Sequence, residues 1–519
     1  MNASKSPKTI LEFLIKQSKL RPNKIAIIDD KETITYGQLM IKAYEFSVSL
    51  YKLGIRKGER VLILANNSIS TVIAMFGCLY EGIVFVPIHP KTGFEKIMYI
   101  KENCDASIML YDDLEENVHW YNAFPKGIFS IKNVIFDFME NKIRTINNNL
   151  VPSDTAFLIY TSGTTGYAKG VIEAHESVVF AVNAINKVLN NSYEDIILCG
   201  LPLSFDYGLY QIFLACSVGA QVVLMSDFSL PLTIPKILNE MNITGFPLVP
   251  SIATLLIHSG LLTRVSLPKL RYITSTGDVF PPKYIEYLKE LLPKTKIFPM
   301  YGLTECKRVS ILKPEEWQCY PNSVGRALDG TLAEIWDTKG KKLSSGNVGE
   351  LVVSGPHVMK GYWNAEEETV ARFQLDLNSN QVWLHTNDLF YMNEKGYLFY
   401  VARNELVFKT QGHRISAVEI ERTISEIDGI IEVAAIAIDD SFKGQKIALM
   451  ISCTSEEKVT KKQIIDVFGK YFLIELSPEL ICIDTKPLIK SFNGKIDREK
   501  IKKQLIKEIN GEISCTLET

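Results

Sequence analysis

The chain has 519 residues, of which 46% are hydrophobic and 22% are charged, as in an ordinary globular protein. This length predicts about two to four domains with cores of their own. The formal net charge of −2 gives no electrostatic basis for binding nucleic acid or an anionic membrane.

The sequence shows no sign of export or of membrane insertion. The N-terminal residues lack the apolar core of a signal peptide. The most apolar window, Thr71 to His89, is interrupted by Glu81 and Gly82, which favours a core helix running into a strand over a membrane span. The nine cysteines include no Cys-X-X-Cys pair, which favours reduced, buried thiols. We therefore expect a cytoplasmic protein without a nucleic acid or membrane partner.

Strand-like apolar runs alternate with helix-like amphipathic segments along most of the chain. This alternation predicts an α/β protein with mixed, largely parallel sheets. The segment that follows Gly170, through residues 171–182, fits either a strand or a helix. Helical spacing covers Tyr36–Leu53 and Pro282–Leu292. The apolar runs are Arg60–Ala65, Ile83–Pro87, Ala156–Tyr160, Asp195–Cys199, Gln221–Met225 and Leu270–Thr274.

The pattern changes in the last third of the chain. From about Asn322, short strands and glycine-rich turns predict a β-rich subdomain over residues 322–403. A break falls near Ala402–Leu406, after the strand-like run Tyr397–Val401. The remaining residues alternate helix and strand again. We expect a large domain over residues 1–403 and a small α+β domain over residues 404–519.

The run from Tyr160 to Gly170 reads Tyr-Thr-Ser-Gly-Thr-Thr-Gly-Tyr-Ala-Lys-Gly and follows a predicted buried strand. Glycines let backbone N–H groups point at an anion, and hydroxyls and a lysine complete a site for phosphate oxygens. It is not a Walker A loop, because Lys169 is followed by Gly170. A Gly/Ser/Thr cluster between apolar runs is also typical of a plain surface loop. The candidate phosphate contacts are Thr161, Ser162, Gly163, Thr164, Thr165, Gly166 and Lys169.

Five further segments follow this loop in order: Leu203–Gly208, Met300–Glu305, Trp383–Asp388, Arg403–Glu421 and Ser491–Asp497. Each is weak alone. Together they resemble the adenylate-forming superfamily, which contains acyl-CoA synthetases, adenylation domains of nonribosomal peptide synthetases, and firefly luciferase. The resemblance covers essentially the whole chain. It implies a ligase with ATP and Mg²⁺ as cofactors, and the chain is most similar to a stand-alone amino-acid adenylating enzyme.

The resemblance implies a reaction in two steps. A carboxylate first attacks the α-phosphorus of ATP, and a thiol then attacks the resulting acyl-adenylate. The hydroxyl-rich loop would hold the β- and γ-phosphates. The other roles are implied as follows: Thr304 at the α-phosphate, Glu305 on Mg²⁺, Tyr301 and Gly277 against adenine, Asp388 on the ribose, Arg403 on the ribose or phosphates, and Lys495 between the acid and the α-phosphate.

The resemblance also implies that the small domain is mobile. Its hinge would lie at Glu405, and after rotation Gly412 would line a channel for the thiol. The chain departs from the family pattern at Asn387, where the family commonly has glycine, and at Glu405 itself. Ala402 and Gln411 also replace a common glycine and a common arginine. His175 also matches a position of the family pattern, and we interpret it as a structural residue.

The identity of the acid is open. In amino-acid adenylation domains, an aspartate in a Phe-Asp pair binds the substrate ammonium, and Phe205-Asp206 stands at the matching place. Two tyrosines and a proline favour a small or cyclic, partly apolar substrate, whereas Arg308 favours an acidic one. The implied pocket residues are Asp206, Tyr207, Tyr210, Pro247, Thr274, Thr276, Met300, Arg308 and Val309.

Three functions remain as alternatives. The first is a ligase that loads an amino acid onto the phosphopantetheine thiol of a separate carrier protein, because the chain ends soon after Lys495. The second is an acyl-CoA synthetase for an acid without an amine, with CoA as its partner. The third is a catalytically silent adenylate-binding protein. Lys169, Glu305 and Asp388 argue against the third, because such a protein has no chemical reason to keep them beside Lys495.

Overall fold

The computed structural model describes most of the chain. The described residues are 6–112, 123–136, 150–162, 168–226, 231–376, 381–403, 406–410, 413–440, 444–456, 458–473, 476–491 and 493–509. Within them, no helix is long and apolar enough to cross a membrane. The helices are α1 Ile10–Leu20, α2 Tyr36–Lys52, α3 Ile69–Glu81, α4 Phe94–Cys104, α5 Ile131–Phe136, α6 His175–Leu189, α7 Asp206–Val218, α8 Ile234–Glu240, α9 Pro250–His258, α10 Pro282–Leu291, α11 Glu366–Arg372, α12 Ala417–Ser425, α13 Lys461–Tyr471 and α14 Arg498–Ile509.

Within the described ranges, the strands form five sheets. In chain order they are β1 Ile25–Ile28, β2 Thr33–Thr35, β3 Arg60–Leu64, β4 Val84–Ile88, β5 Ala106–Tyr111, β6 Ile128–Ser130, β7 Thr155–Ser162, β8 Ala168–Ala174, β9 Ile196–Cys199, β10 Gln221–Leu224, β11 Gly245–Leu248, β12 Tyr272–Ser275, β13 Lys296–Tyr301, β14 Ser310–Ile311, β15 Arg326–Ala327, β16 Leu332–Trp336, β17 Gly349–Ser354, β18 Phe373–Asp376, β19 Gln381–Met392, β20 Leu398–Arg403, β21 Val407–Thr410, β22 His413–Ser416, β23 Ile430–Asp440, β24 Gly444–Cys453 and β25 Leu480–Asp484.

Two large sheets build the N-terminal part. One has nine strands in the order β15-β14-β13-β12-β11-β9-β10-β1-β2, and the other has six in the order β6-β5-β3-β4-β7-β8. The inner strands pair in parallel, and the antiparallel pairs lie at the edges. This confirms the predicted α/β class with mixed, largely parallel sheets.

Aromatic side chains join helices and sheet in the main core. Phe213 of α7 packs edge-on against Phe76 of α3, with ring centroids 6.4 Å apart, and lies 5.9 Å from Phe157 of β7. Ordinary caps fix the helix ends. For example, Thr35 and Gln38 form a capping box at α2, and Gly82 takes the left-handed conformation after α3.

The later part of the chain forms smaller sheets. Strands β16 to β20 make an antiparallel sheet within the region predicted to be β-rich. A β21–β22 hairpin follows, and β23, β24 and β25 form a sheet that packs with α12 and α14. The cluster around Ile420, Leu449 and Phe468 gives this C-terminal part an apolar core of its own.

Most sequence-based element assignments agree with the structure, with two refinements. The segment after Gly170 contains both alternatives, because β8 ends at Ala174 and α6 begins at His175. The expected break near residues 402–406 begins later than predicted, because β20 continues through Arg403, where it pairs with β19. Glu405 and Gly412 lie outside the described residues, so the hinge and channel roles stay predictions.

Candidate active site

The carboxyl ends of neighbouring parallel strands bring the predicted site residues together. Strand β12 ends at Ser275, directly before Thr276 and Gly277, and its neighbour β13 ends at Tyr301. Helix α7 begins at Asp206, shortly after β9. Ligands of open α/β sheets bind outside the carboxyl ends of the strands, so this edge is where a ligand site is expected.

Asp388 is the centre of the predicted ribose cluster. The Tyr301 hydroxyl donates a hydrogen bond to Asp388 Oδ2 at 2.6 Å, and Arg403 Nε lies 3.3 Å from Oδ1. Burial raises the pKa of Asp388, although the charge of Arg403 and the bond from Tyr301 oppose this shift. The arrangement holds a carboxylate ready to accept bonds from vicinal hydroxyls.

The departure at Asn387 has a conformational explanation. Asn387 has a φ of 58°, in the left-handed region that favours glycine. Asparagine tolerates this region better than other residues with a Cβ atom. The chain therefore keeps the turn before Asp388 without a glycine.

Glu305 meets a tyrosine that the sequence did not single out. The Tyr362 hydroxyl donates to Glu305 Oε1 at 2.8 Å, and the Met359 N–H donates to the Glu305 carbonyl at 2.9 Å. In the described residues, no group of three or more His, Cys, Asp or Glu side chains could hold a metal ion. A single carboxylate beside a phosphate site fits Mg²⁺, which takes its other oxygens from phosphates and water.

The hydroxyl-rich loop connects β7 to β8 as an antiparallel hairpin, in which Thr161 pairs with Lys169. Lys169 Nζ lies 5.6 Å from the Tyr362 ring centroid and 3.9 Å from Glu368. The hairpin thus reaches the same tyrosine that contacts Glu305. Residues 163–166 lie outside the described residues, as does the Ser162 side chain, so these phosphate contacts stay predictions.

Lys495 reaches the N-terminal part of the chain from a tight turn. Gly494 has a φ of 77°, and a Cβ atom there would lie 2.9 Å from Ser251 Oγ. The Lys495 side chain lies against Gly277, where an added Cβ would be 3.5 Å from Lys495 Cε. Its Nζ is 5.7 Å from the Phe205 ring centroid. The structure therefore places this cation beside the residue preceding Asp206.

Helix α7 supplies one wall of the predicted acid pocket. Tyr207 and Tyr210 are buried, Asp206 is half-buried, and the Tyr207 hydroxyl bonds to Thr274 Oγ1 at 2.6 Å. The Arg308 guanidinium carbon lies 5.0 Å from the Tyr207 ring centroid. Arg308 is 7% exposed, and burial lowers its pKa, against the pull of Tyr207 and Asp206.

The other predicted pocket residues are buried at the same edge, with one exception. Pro247 pairs with Thr274 between β11 and β12, and Thr276, directly after β12, and Met300, in the neighbouring strand β13, are buried. Val309 instead belongs to the apolar cluster of the β16–β20 sheet. Its role as a pocket residue stays a prediction.

His175 is buried and accepts a hydrogen bond from the Ile10 N–H at 3.2 Å, which supports a structural role. Sequence reasoning missed Tyr362 and the buried pair Glu173 and Lys307. The sequence indicates Glu173 only as an acidic residue inside the apolar run before His175. It does not indicate the partner, Lys307, which is distant in sequence.

The N-terminal two thirds of the chain match a known family. Residues 14–363 match the family described as AMP-binding enzyme. The chain is 25% identical over 509 residues to an L-proline–[L-prolyl-carrier protein] ligase of Pseudomonas fluorescens, covering 93% of this chain and 97% of that protein. It is 26% identical over 537 residues to a long-chain-fatty-acid–CoA ligase of Bacillus subtilis, covering 95% and 94%. It spans about half, 47%, of the anguibactin system regulator of Vibrio anguillarum, at 26% identity over 94% of this chain.

Solved structures of other proteins are also similar to this chain. VinN is 32% identical with a TM-score of 0.68, covering 76% of this chain and 98% of VinN, and VinN in complex with L-aspartate is 31% identical. The o-succinylbenzoate CoA synthetase of Bacillus subtilis, in complex with its acyl-adenylate, shares the fold at 24% identity and a TM-score of 0.83, covering 94% and 97%. The chain therefore belongs to the AMP-binding enzyme family, whose members are adenylate-forming ligases.

Proposed function

We propose that the protein activates an amino acid with a second, acidic group as an acyl-adenylate and transfers it to the phosphopantetheine thiol of a separate carrier protein. The observation that carries the proposal is that a half-buried carboxylate, Asp206, and a buried cation, Arg308, both lie beside Tyr207 and interact electrostatically. An anion and a cation near each other complement a substrate with an ammonium and a carboxylate.

In the first step, an oxygen of the reacting carboxylate attacks the α-phosphorus, and the bond to the bridging oxygen breaks as pyrophosphate leaves. Two anions must approach each other, so the barrier is largely electrostatic and positional. Lys495 would neutralise charge at that point, with Thr304 at the α-phosphate. Bound together with ATP, Mg²⁺ would offset charge on the phosphate oxygens, with Glu305 as its protein ligand.

The nucleotide would lie between Tyr301 and Gly277. Asp388 would accept hydrogen bonds from the ribose hydroxyls, and Arg403, about half exposed beside it, would reach the ribose or phosphates. The β7–β8 hairpin with Lys169 would hold the pyrophosphate side. Its nearness to Tyr362, which bonds to Glu305, supports a single site for the phosphates and the metal.

The buried environment of Arg308 favours a substrate with a second, acidic group. Among the described residues, the Arg308 Nε is buried and has no hydrogen-bond partner, and the guanidinium faces the Tyr207 ring. A buried donor left without an acceptor is costly, so an anionic ligand group is a natural complement. VinN, a protein similar to this chain, has been crystallised with L-aspartate. L-Aspartate is therefore the first acid to test.

In the second step, the thiol sulfur attacks the acyl carbon, the thiol proton is released, and AMP leaves. The carrier protein is favoured over CoA as the acceptor because Asp206 matches amino-acid enzymes. A prolyl-carrier protein ligase is also similar over 97% of its length. The alternative is an acyl-CoA synthetase for a non-amino acid, and the long-chain-fatty-acid–CoA ligase similarity supports it.

Acid-dependent exchange of labelled pyrophosphate into ATP tests the proposal. We expect exchange with L-aspartate and little with L-asparagine or with succinate, which lack the second carboxylate and the amine, respectively. Asp206→Ala should reduce exchange with L-aspartate by about 10²-fold, because a charge-assisted bond is lost in a buried pocket.

Three results would contradict all or part of the proposal. Exchange that persists in Asp206→Ala with amine-free acids, but never occurs with amino acids, would favour the acyl-CoA synthetase. No exchange with any acid in a broad panel would favour the silent adenylate-binding protein. Exchange with neutral amino acids alone would retain amino-acid activation and remove the role of Arg308.

A further inference from the structure

A buried ion pair joins two parts of the large domain beside the acid pocket. Glu173 of β8 contacts the ammonium of Lys307, and their side chains are 0% and 3% exposed. Lys307 lies in the turn between β13 and β14, between Glu305 and Arg308. Lys307 is therefore two residues after one predicted catalytic residue and directly before one predicted specificity residue.

Lys307 and Arg308 face neighbouring tyrosines of α7. Lys307 Nζ lies 5.4 Å from the Tyr210 ring centroid, and the Arg308 guanidinium lies 5.0 Å from that of Tyr207. Asp206 is on the same helix, one residue before Tyr207. Two cations thus approach the wall of the pocket that carries its one predicted anion.

The backbone fixes the directions of these two cations. Lys307 has a φ of 57°, a left-handed conformation that residues with a Cβ atom rarely adopt. Gly302 packs directly against it, since an added Cβ would lie 1.8 Å from the Lys307 carbonyl oxygen. The Val309 N–H closes the turn by donating to the Tyr301 carbonyl at 2.9 Å. Strained backbone at a functional site is retained where surrounding contacts hold it.

The Glu173–Lys307 pair affects the balance of charge beside the acid pocket. Lys307 would be a second buried cation beside Arg308 if Glu173 did not contact it. An unpaired ammonium there would be drawn to the nearest anions, which are Asp206 and the substrate carboxylates. It would then compete with the substrate ammonium for Asp206.

We propose that Glu173 is a positioning residue that determines specificity. By pairing with Lys307, it neutralises that ammonium at the pocket wall, keeps Asp206 free for the substrate ammonium and leaves Arg308 as the cation for the second carboxylate. This inference rests on the proposed function, because it assumes an amino acid with an acidic group.

The electrostatics of Glu173 agree with this geometry. Burial raises the pKa of Glu173 to about 7, the charge of Lys307 opposes the shift, and Asp206 and Glu305 add to it. The charged groups that face the pair are therefore Asp206 from α7 and Glu305 from the turn before Lys307. The carboxylate carries its charge above about pH 7, so the test is made at pH 8.

The test compares Glu173→Gln, Lys307→Met and the double variant. At pH 8, Glu173→Gln should raise the KM for L-aspartate about tenfold or more while changing the KM for ATP less than twofold. The double variant, which removes both charges, should return the KM for L-aspartate to within threefold of the wild type. Glu176→Gln, an exposed glutamate three residues along, is the matched control and should change neither KM.

Equal KM values for L-aspartate in the wild type and Glu173→Gln would contradict the inference while leaving the proposed function intact. A rise in the KM for ATP equal to that for L-aspartate would show a merely structural role. If Glu173→Gln does not fold, the double variant decides alone, because a KM for L-aspartate more than tenfold above the wild type contradicts the inference. Absence of exchange in the wild type would instead contradict the proposed function, and this inference with it.

Discussion

At the scale of single residues, the C-terminal part of the chain places one cation, Lys495, at the candidate site. Lys495 lies against Gly277 and near Phe205, both in the large domain. Its neighbour Gly494 has a positive φ and little free space around it, so the turn that presents the lysine is specified by the backbone. The lysine should therefore act in the step during which this contact exists.

Lys495→Ala should reduce adenylation by about 10²–10³-fold, because one preorganised charge at the reacting phosphorus is lost. Transfer from a preformed acyl-adenylate to the thiol should change less than threefold. Single-turnover measurements of each step give the two numbers. Equal losses in both steps would show that the lysine is not specific to adenylation.

The sequence predicted those site residues whose chemistry is carried by a local motif. Asp388, Glu305 and Lys495 fall in such motifs, and the structure brings Asp388 into contact with Tyr301 and Arg403. The Glu173–Lys307 pair could not be predicted, because 134 residues separate its members, as their numbers show. A glutamate in an apolar run gives no indication of which distant side chain compensates its charge.

At the scale of elements, the turn between β13 and β14 carries several site residues within a short span. Gly302 is enclosed by the backbone of Lys307 and Arg308, at 1.8 Å and 3.0 Å from the position of an added Cβ. Close packing of backbone against backbone leaves no flexible group to move aside. The glycine therefore determines where Thr304, Glu305 and Arg308 point.

Gly302→Ala should abolish exchange activity and lower the free energy of unfolding by more than about 2 kcal/mol, because the backbone must shift. Gly93→Ala is the matched control, since a Cβ at Gly93 meets no atom within 4 Å and its φ is −64°. Activity and chemical denaturation of both variants check this. An active, stable Gly302→Ala would contradict the geometry of the turn.

His357 should make stability depend on pH. Burial lowers its pKa to about 4 from 6.5, and neither ring nitrogen has a hydrogen-bond partner within the described part of the chain. The folded state binds this proton more weakly than the unfolded state does. The contribution to stability is therefore complete above about pH 6.5 and is lost as the pH falls towards 4.

Relative to His357→Gln, the wild type should lose about 3 kcal/mol of unfolding free energy between pH 7 and pH 4. Denaturant titrations of both proteins at several pH values measure this difference. The comparison isolates His357, because His175, whose pKa burial also lowers to about 4, titrates in both proteins. A difference that does not vary with pH would show that His357 is protonated in the folded state or is exposed.

Element prediction was accurate where apolar periodicity is strong. Strands β3, β9 and β10 and helices α2 and α10 lie within one or two residues of their predicted bounds. The break after the β-rich region was less exact, because strand pairing between Asp388 and Arg403 extends β20 to residue 403. Cross-strand pairing is a tertiary property that a local pattern does not contain.

At the scale of the whole molecule, contacts between the large domain and the C-terminal part accompany the position of Lys495. The Tyr284 hydroxyl of α10 donates to the Ile431 carbonyl at 2.8 Å, and Arg422 of α12 donates to Asn322 Oδ1 at 2.5 Å. A cavity of about 120 Å³ at this junction is lined by residues of both parts, including Glu421 and Lys495. We propose that these contacts belong to the arrangement used for adenylation, and that rotation breaks them before thiol transfer.

Tyr284→Phe removes one hydrogen bond across this junction, worth about 1 kcal/mol, and should slow adenylation roughly fivefold. Thiol transfer should keep its rate. Tyr287→Phe, a partly exposed tyrosine on the same helix, is the control and should slow neither step. Rates of the two half-reactions measure the effect. Equal slowing of both half-reactions by Tyr284→Phe would remove the link between this contact and adenylation.

The proposed attack of a substrate carboxylate on the α-phosphorus of ATP can be followed by isotope transfer. The experiment uses L-aspartate labelled with ¹⁸O in its carboxylates, or whichever acid supports exchange, with hydroxylamine as the acyl acceptor. Mass spectrometry of the products should find one ¹⁸O atom in AMP and none in pyrophosphate. AMP without label, or label in inorganic phosphate, would contradict attack at the α-phosphorus and, with it, the proposed adenylation step.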